Sequence, residues 1–138
     1  MFGHGWCELH YDRWRRQGDP NAVLLLRGDP VHRFWQHVDI GYPDECWPWT
    51  STTTREGYGV MSLGGGQVKA HRFAYELLLA PIGRGLDLDH ICHNADLTCT
   101  DPAACPHRRC VNPLHLDPVS SAINAARSQL HRRTALRA

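Results

Sequence analysis

The stretch from Cys92 to His115 constrains this chain more than any other. It holds Cys92, His93, Cys99, Cys105, His107, Cys110 and His115 among prolines and acids. A plain apolar core does not call for metal-ligating residue types at that density. A chain of 138 residues can bury only a modest core, so cross-links are expected to supplement it. Thiols interleaved with imidazoles suit zinc better than disulfides in a reducing compartment. The opening MFGHGWCELH lacks the apolar stretch of an export signal, which predicts a cytoplasmic protein. No apolar run approaches the roughly 18 residues of a membrane span, so no membrane partner is expected.

Zinc closes a loop best with four ligands in a tetrahedron. Cys92, Cys110 and His115 stand on the two arms of a long loop and lack a fourth. Cys46, isolated among acids and tryptophans in DECWPW, is the candidate to complete the set. Between the arms, His93, Cys99, Cys105 and His107 suffice for a second tetrahedral site. One or two structural Zn²⁺ ions are therefore expected, and spacing alone does not fix the partition of ligands. Near the N-terminus, Cys7, His10 and His4 fall one ligand short of a zinc knuckle.

The formal net charge of +1 hides an uneven distribution. From Arg108 onward, six arginines stand against Asp117 alone, whereas Asp87, Asp89, Asp96 and Asp101 crowd the preceding stretch. A basic tail beside an acidic, metal-ready centre suits a protein that grips phosphates and places a cation among them. An ordinary solvated helix end would carry similar charges. The candidate DNA contacts are Arg127, Arg132 and Arg133 in the tail, with Arg13, Arg15 and Arg16 around Trp14.

Periodicity outlines the elements. A basic aromatic helix is expected before Gly18, and another from Pro30, with Val31, Phe34, Trp35 and Val38 on one face. GYGVMSL and QVKAH flank Gly64, Gly65 and Gly66 as in a hairpin. Ala70, Phe73, Ala74, Leu77 and Leu78 then recur with helical period until Pro81. LDLDH and LHLDPV read as an outgoing and a returning strand. SSAINAARSQL reads as a helix capped by Ser120 or Ser121, with Val119, Ile123, Ala126 and Leu130 as its buried stripe.

The chemistry sits where these last elements meet. LDLDH delivers Asp89 and His90 to a strand end, and an imidazole can take a proton from water at neutral pH. Asn124 lies about 100° round the helix from Ile123, so it can look back towards that strand end. A hard cation such as Mg²⁺ accepts oxygen ligands from one or two side chains, and Asp89 and Asn124 could supply them. Strict alternation would send Asp89 and His90 to opposite faces, so both can serve only if the strand ends or bulges there.

At these residues the chain resembles the HNH endonucleases, particularly the small phage-type proteins and the related His-Cys box homing endonucleases. CWPWT, GYG, AHRFAYE, LDLDHICHN, CVNPLHL and the final helix with its Asn carry the resemblance, from about Glu45 to Arg127. It implies an α+β fold, a small zinc-stabilised ββα-metal core over residues 41–138 with a basic C-terminal tail. A basic helical segment would precede it over 1–40, resembling a zinc-finger-like piece whose upstream ligands are missing here.

The resemblance further implies hydrolysis of DNA phosphodiester bonds with a catalytic Mg²⁺ or Mn²⁺, in a bacterium or phage-infected host. Products would carry 5′-phosphate and 3′-hydroxyl ends. His90 would be the general base, and Asn124 and Asp89 the ligands of the catalytic ion. Asn112 would order the loop that orients His90, and Arg72 is a candidate for holding the scissile phosphate. Cys46, Cys92, Cys110 and His115 match the structural zinc set of the His-Cys box proteins. A monomer would most simply nick, and paired cuts would require a homodimer. A non-catalytic, zinc-stabilised DNA-binding module is the alternative from another class.

Overall fold

In a computed structural model of the chain, residues 29–101 and 104–137 are described. Helix α1 (Pro30–Gln36) starts as its sequence dictates. Asp29 accepts from the Val31 amide at 2.8 Å, and Pro30 occupies a first-turn position that needs no amide. Its Phe34 and Trp35 are buried with Val38, Trp47, Trp49, Met61, Ala70, Ala74 and Val111 in one apolar cluster. The Phe34 ring lies 4.6 Å from that of Trp35, 5.7 Å from Trp49 and 5.1 Å from Phe73, centroid to centroid. Each such buried aromatic contributes about 1.5–3 kcal/mol. Residues 30–38 thus share the core of the segment that follows residue 40. The basic stretch with Arg13, Arg15 and Arg16, and the Cys7–His10 pair, lie outside the described residues.

Strands β1 (Val60–Leu63) and β2 (Gly66–Lys69) form the expected hairpin, with Leu63 opposite Gly66. The turn is therefore Gly64 and Gly65 alone, both at positive φ (+56° and +83°), the conformation two-residue hairpin loops demand. Helix α2 (Ala70–Leu78) follows without a linker, so His71, expected in the strand, is helical and buried. Gly59 has a different reason to be glycine. A Cβ there would meet Trp49 Cδ1 at 2.6 Å, and its carbonyl receives the Ala70 amide at 2.9 Å.

A second antiparallel pair joins β3 (Leu86–His90) to β4 (Leu116–Ser120), with His90 opposite Leu116 and Leu86 opposite Ser120. Short helix α3 (Ile91–Ala95) and the 3₁₀ turns Pro106–Arg109 and Pro113–His115 fill the connection. Helix α4 (Ser121–Arg137) packs on β3 and β4, capped by Ser120, whose hydroxyl accepts from the Ile123 amide at 3.2 Å. The result is a small α+β fold with two two-stranded antiparallel sheets. No described helix is long and apolar enough to cross a membrane.

The expected apolar stripe of α4 does not form. Ile123 and Leu130 are 49% and 64% exposed, and Ala126 is exposed too. The inward face instead carries Asn124, Arg127, Ser128 and His131. The physical reason is the surface that the helix covers: aspartates and histidines rather than a hydrophobic core. Of the expected stripe, only Val119, on β4, is buried.

Candidate functional site

Two fourfold groups of Cys and His form among the described residues: Cys46, Cys92, Cys110 and His115, and His93, Cys99, Cys105 and His107. Within each, one ligand atom from every residue lies within 4.8 Å of the others. Backbone pairing makes the first group. The Val111 amide donates to the Trp47 carbonyl at 2.9 Å and the Trp49 amide to the Arg109 carbonyl at 2.8 Å, which lays the segment after Cys46 against the one around Cys110. The turn at 112–115 then takes three successive carbonyls. Asn112 Nδ2 donates to Pro43 O (2.8 Å) and Glu45 O (2.7 Å), and His115 Nε2 donates to Asp44 O (3.2 Å).

That last bond fixes the tautomer of His115, whose Nδ1 faces the sulfurs of Cys46 and Cys110 at 3.6 Å each. With a zinc–sulfur bond of about 2.3 Å and a zinc–nitrogen bond of about 2.0–2.1 Å, an ideal tetrahedron has an S···N edge of roughly 3.6 Å. The donor set fits zinc in chemistry and in spacing. Hydrogen bonds from Cys110, Cys92 and His115 hold the Cys46 thiol far below its ordinary range, while hydrogen bonds to Cys110 and Cys46 push Cys92 far above it. Hydrogen bonds to the Cys110 and Cys46 sulfurs raise His115 to about 10, so a metal bound here would displace a proton from Nδ1 as well as from the thiols. Three adjacent thiols cannot all ionise without a cation among them.

The second group repeats the pattern. Cys105 Sγ lies 3.4 Å from His93 Nδ1 and 3.6 Å from His107 Nδ1, while His107 Nε2 reaches the Asp96 carboxylate at 3.4 Å. A carboxylate behind a ligating imidazole orients the ring and strengthens it as a ligand. Burial lowers the pKa of His93, which favours the neutral ligand form, and burial with the Cys105 hydrogen bond raises Cys99 to about 11. Each group could hold one structural metal ion, and the sulfur and imidazole donors suit zinc.

His90 stands between the strand end and the first group. It precedes Cys92 by two residues, and its Nε2 donates to the Cys110 carbonyl at 3.1 Å. The carbonyl can only accept, so the neutral ring carries its lone pair on Nδ1. Burial lowers its pKa to about 4. A cleft of about 340 Å³ is lined by His90, Asp87, Asp89, Asn124, Tyr58 and Arg108, among others. Asp89 and His90 both line it, at the point where β3 ends and His90, still extended, becomes the N-cap residue of α3. The carboxylate of Asp89 is buried, and Asn94 Nδ2 (2.7 Å) and Arg127 (3.0 Å) both donate to its Oδ2.

No family model, curated protein or solved structure matches the chain.

The cleft gathers His90, Asp89 and Asn124 as the sequence led us to expect, and the two ligand quartets divide along the expected lines. Other expected residues lie elsewhere. Asn112 is fully buried and the three hydrogen bonds of its side chain go to backbone, so it has the loop-ordering place expected of it, bracing the Cys46 loop without lining the cleft. The Arg72 guanidinium donates to the Leu86 carbonyl at 3.3 Å, which secures β3. Arg127 bridges Asp89 and Asp117 (2.7 Å), so its charge is engaged within the fold, while Arg132 and Arg133 remain exposed.

Asp87 and Arg108 are among the cleft residues that the sequence did not single out. Asp87 meets Asn124 Nδ2 at 3.3 Å, and the period of two along LDLDH already placed it on the face of Asp89. Arg108 was counted only as part of a basic tail. Its position depends on the path of a metal-ligand loop that no local periodicity describes.

Proposed function

We propose that the protein is a metal-dependent DNA endonuclease of the HNH type, hydrolysing phosphodiester bonds in the cleft at His90. One observation supports this reading above the rest. A buried imidazole, with its Nε2 committed to a carbonyl, shares a cleft with three oxygen-bearing side chains: Asp87, Asp89 and Asn124. A structural histidine has no need of an acidic, hard-metal environment beside it. A DNA-binding module has no need of a proton acceptor there.

The oxygen donors of Asp87, Asp89 and Asn124 fit a hard cation such as Mg²⁺ or Mn²⁺, and both bonds to Asp89 fall on Oδ2, leaving Oδ1 for a ligand. A divalent ion held there supplies positive charge where the phosphate accumulates negative charge. His90 Nδ1 accepts a proton from water, whose oxygen bonds to phosphorus as the bond from phosphorus to the 3′ oxygen breaks. The leaving oxygen takes its proton from solvent, and the other end retains a 5′-phosphate. An imidazole with a pKa of about 4 is neutral at pH 7 but only weakly basic. The approaching phosphodiester, being negative, favours the imidazolium and strengthens the base when it is needed.

The test is cleavage of supercoiled plasmid and phage genomic DNA with Mg²⁺ or Mn²⁺, comparing wild type, His90→Ala and chelator controls. Nicked or linear product is expected from the wild type, with a loss of at least about a hundredfold in the variant. Full metal-dependent cleavage by His90→Ala would overturn the assignment. Salt-sensitive DNA binding without cleavage in any condition would favour a non-catalytic binding module.

A further inference from the structure

We propose that the second Cys/His group holds Arg108 at the lip of the cleft as a clamp for a DNA phosphate, an inference that rests on the nuclease reading. Arg108 follows the ligand His107 directly and precedes Cys110 by two residues, so the 3₁₀ turn Pro106–Arg109 is pinned by one quartet at each end. The side chain is fixed as well. One guanidinium nitrogen donates to the Glu56 carbonyl at 2.7 Å, and the group lies 5.0 Å from the centroid of the Tyr58 ring. Both Tyr58 and Arg108 line the cleft that contains His90, Asp87 and Asn124.

The charge of Arg108 has no carboxylate within ion-pair distance among the described residues, in contrast to Arg127, which has two. Its bond to Glu56 uses a neutral acceptor and leaves most of the guanidinium's five donors free. Lys69 adds a second cation, 4.8 Å from the centroid of the same Tyr58 ring. Two positive groups on one aromatic ring, beside a cleft suited to a metal, form a place where an anion relieves repulsion. The planar fork of arginine matches two phosphate oxygens at once. Arg72, tied to the Leu86 carbonyl and absent from the lining of this cleft, is placed to hold a strand instead.

The experiment uses the full chain with zinc bound. Arg108→Ala, Arg108→Lys, Cys99→Ser and the double variant Cys99→Ser/Arg108→Ala are compared with wild type and His90→Ala. Three quantities are read: zinc content, affinity for a short DNA duplex across a salt series without added Mg²⁺, and plasmid cleavage with Mg²⁺. Arg108→Ala is expected to keep both zinc equivalents and to lose about ten- to a hundredfold in cleavage, chiefly through KM. Its salt slope should fall by about one, with partial recovery in Arg108→Lys. Cys99→Ser should lose one zinc equivalent and reproduce the same binding defect. In DNA affinity the double variant should then be no worse than Cys99→Ser alone, because the contact that Arg108→Ala removes is already lost with the second metal.

An Arg108→Ala variant that binds and cuts as wild type does would overturn the clamp. Losses that multiply in the double variant would overturn the link between the second group and Arg108. If the wild type binds DNA but never cuts it, the nuclease reading falls, and the affinity and salt slope of Arg108→Ala still decide whether the clamp exists.

Discussion

Asn112→Ala separates a structural from a chemical role for Asn112, the buried asparagine beside the first quartet. The residue is fully buried, and its amide makes three hydrogen bonds: to Pro43 O (2.8 Å), to Glu45 O (2.7 Å) and from the Leu114 amide (3.0 Å). Truncation leaves two carbonyls and one amide without their partner and opens a small void. Each unsatisfied buried group costs about 1–3 kcal/mol, and water admitted to the void recovers part of it. A net loss of about 3–5 kcal/mol is therefore expected, a large share of the roughly 5–15 kcal/mol available to a domain of this kind. The freed segment carries Cys46, so the first quartet should lose zinc affinity along with stability.

Asn112→Asp sharpens the test. Its carboxylate could still accept from Leu114 but would face the Pro43 and Glu45 carbonyls without donors, so it should be no better than alanine. The assay is urea unfolding followed by tryptophan emission, because Trp47 adjoins Cys46 in the chain, with zinc content measured on the same samples. A loss under about 1 kcal/mol with both zinc equivalents retained would refute the bracing role. Abolished cleavage in such a stable variant would return Asn112 to the chemistry.

Two further outcomes follow from the same geometry. His90 has a folded pKa of about 4 against an ordinary 6.5, so between those values the unfolded chain binds more protons. Stability from this group is therefore complete above pH 6.5 and is lost as pH falls towards 4, by up to about 3 kcal/mol. Urea midpoints at pH 5 and pH 7 should differ less in His90→Gln than in wild type, and an identical pH dependence would count against the buried, neutral imidazole. Stripping metal with a chelator should release two zinc equivalents per chain, and Cys46→Ala should retain only one. Folded protein with no bound zinc would contradict the reading of both quartets.

What the sequence revealed follows the range of the interactions involved. The hairpin, α1, α2 and the strand pair β3–β4 were legible because Gly64–Gly65, the Phe34–Trp35 face and LDLDH each carry a local period. The ligand quartets were legible in part because a missing fourth ligand drew attention to Cys46. The inner face of α4 was misread. Ile123, Ala126 and Leu130 offer an apolar repeat, but the surface opposite holds Asp87, Asp89 and the His93 ring, which select Asn124, Arg127 and His131. Helical period tells which residues share a face. It does not tell what that face meets.

That polar interface explains how a chain with so small an apolar core keeps its cleft in shape. Helix α4 buries little hydrophobic surface, so other contacts must hold it. Ser120 caps its start, Arg127 pairs with Asp89 and Asp117, and His131 donates to the Asp96 carbonyl at 2.9 Å while its ring lies 4.2 Å from that of His93. Both contacts of His131 fall on the loop of the second quartet, and Asp96 also supports His107. The first quartet fixes His90 through the Cys110 carbonyl, while the second fixes the helix that carries Asn124. The tryptophan core, joined to them through the pairing of Trp47 and Trp49 with Arg109 and Val111, carries the fold. Loss of metal from the second quartet alone should therefore disorganise the cleft before it unfolds the core.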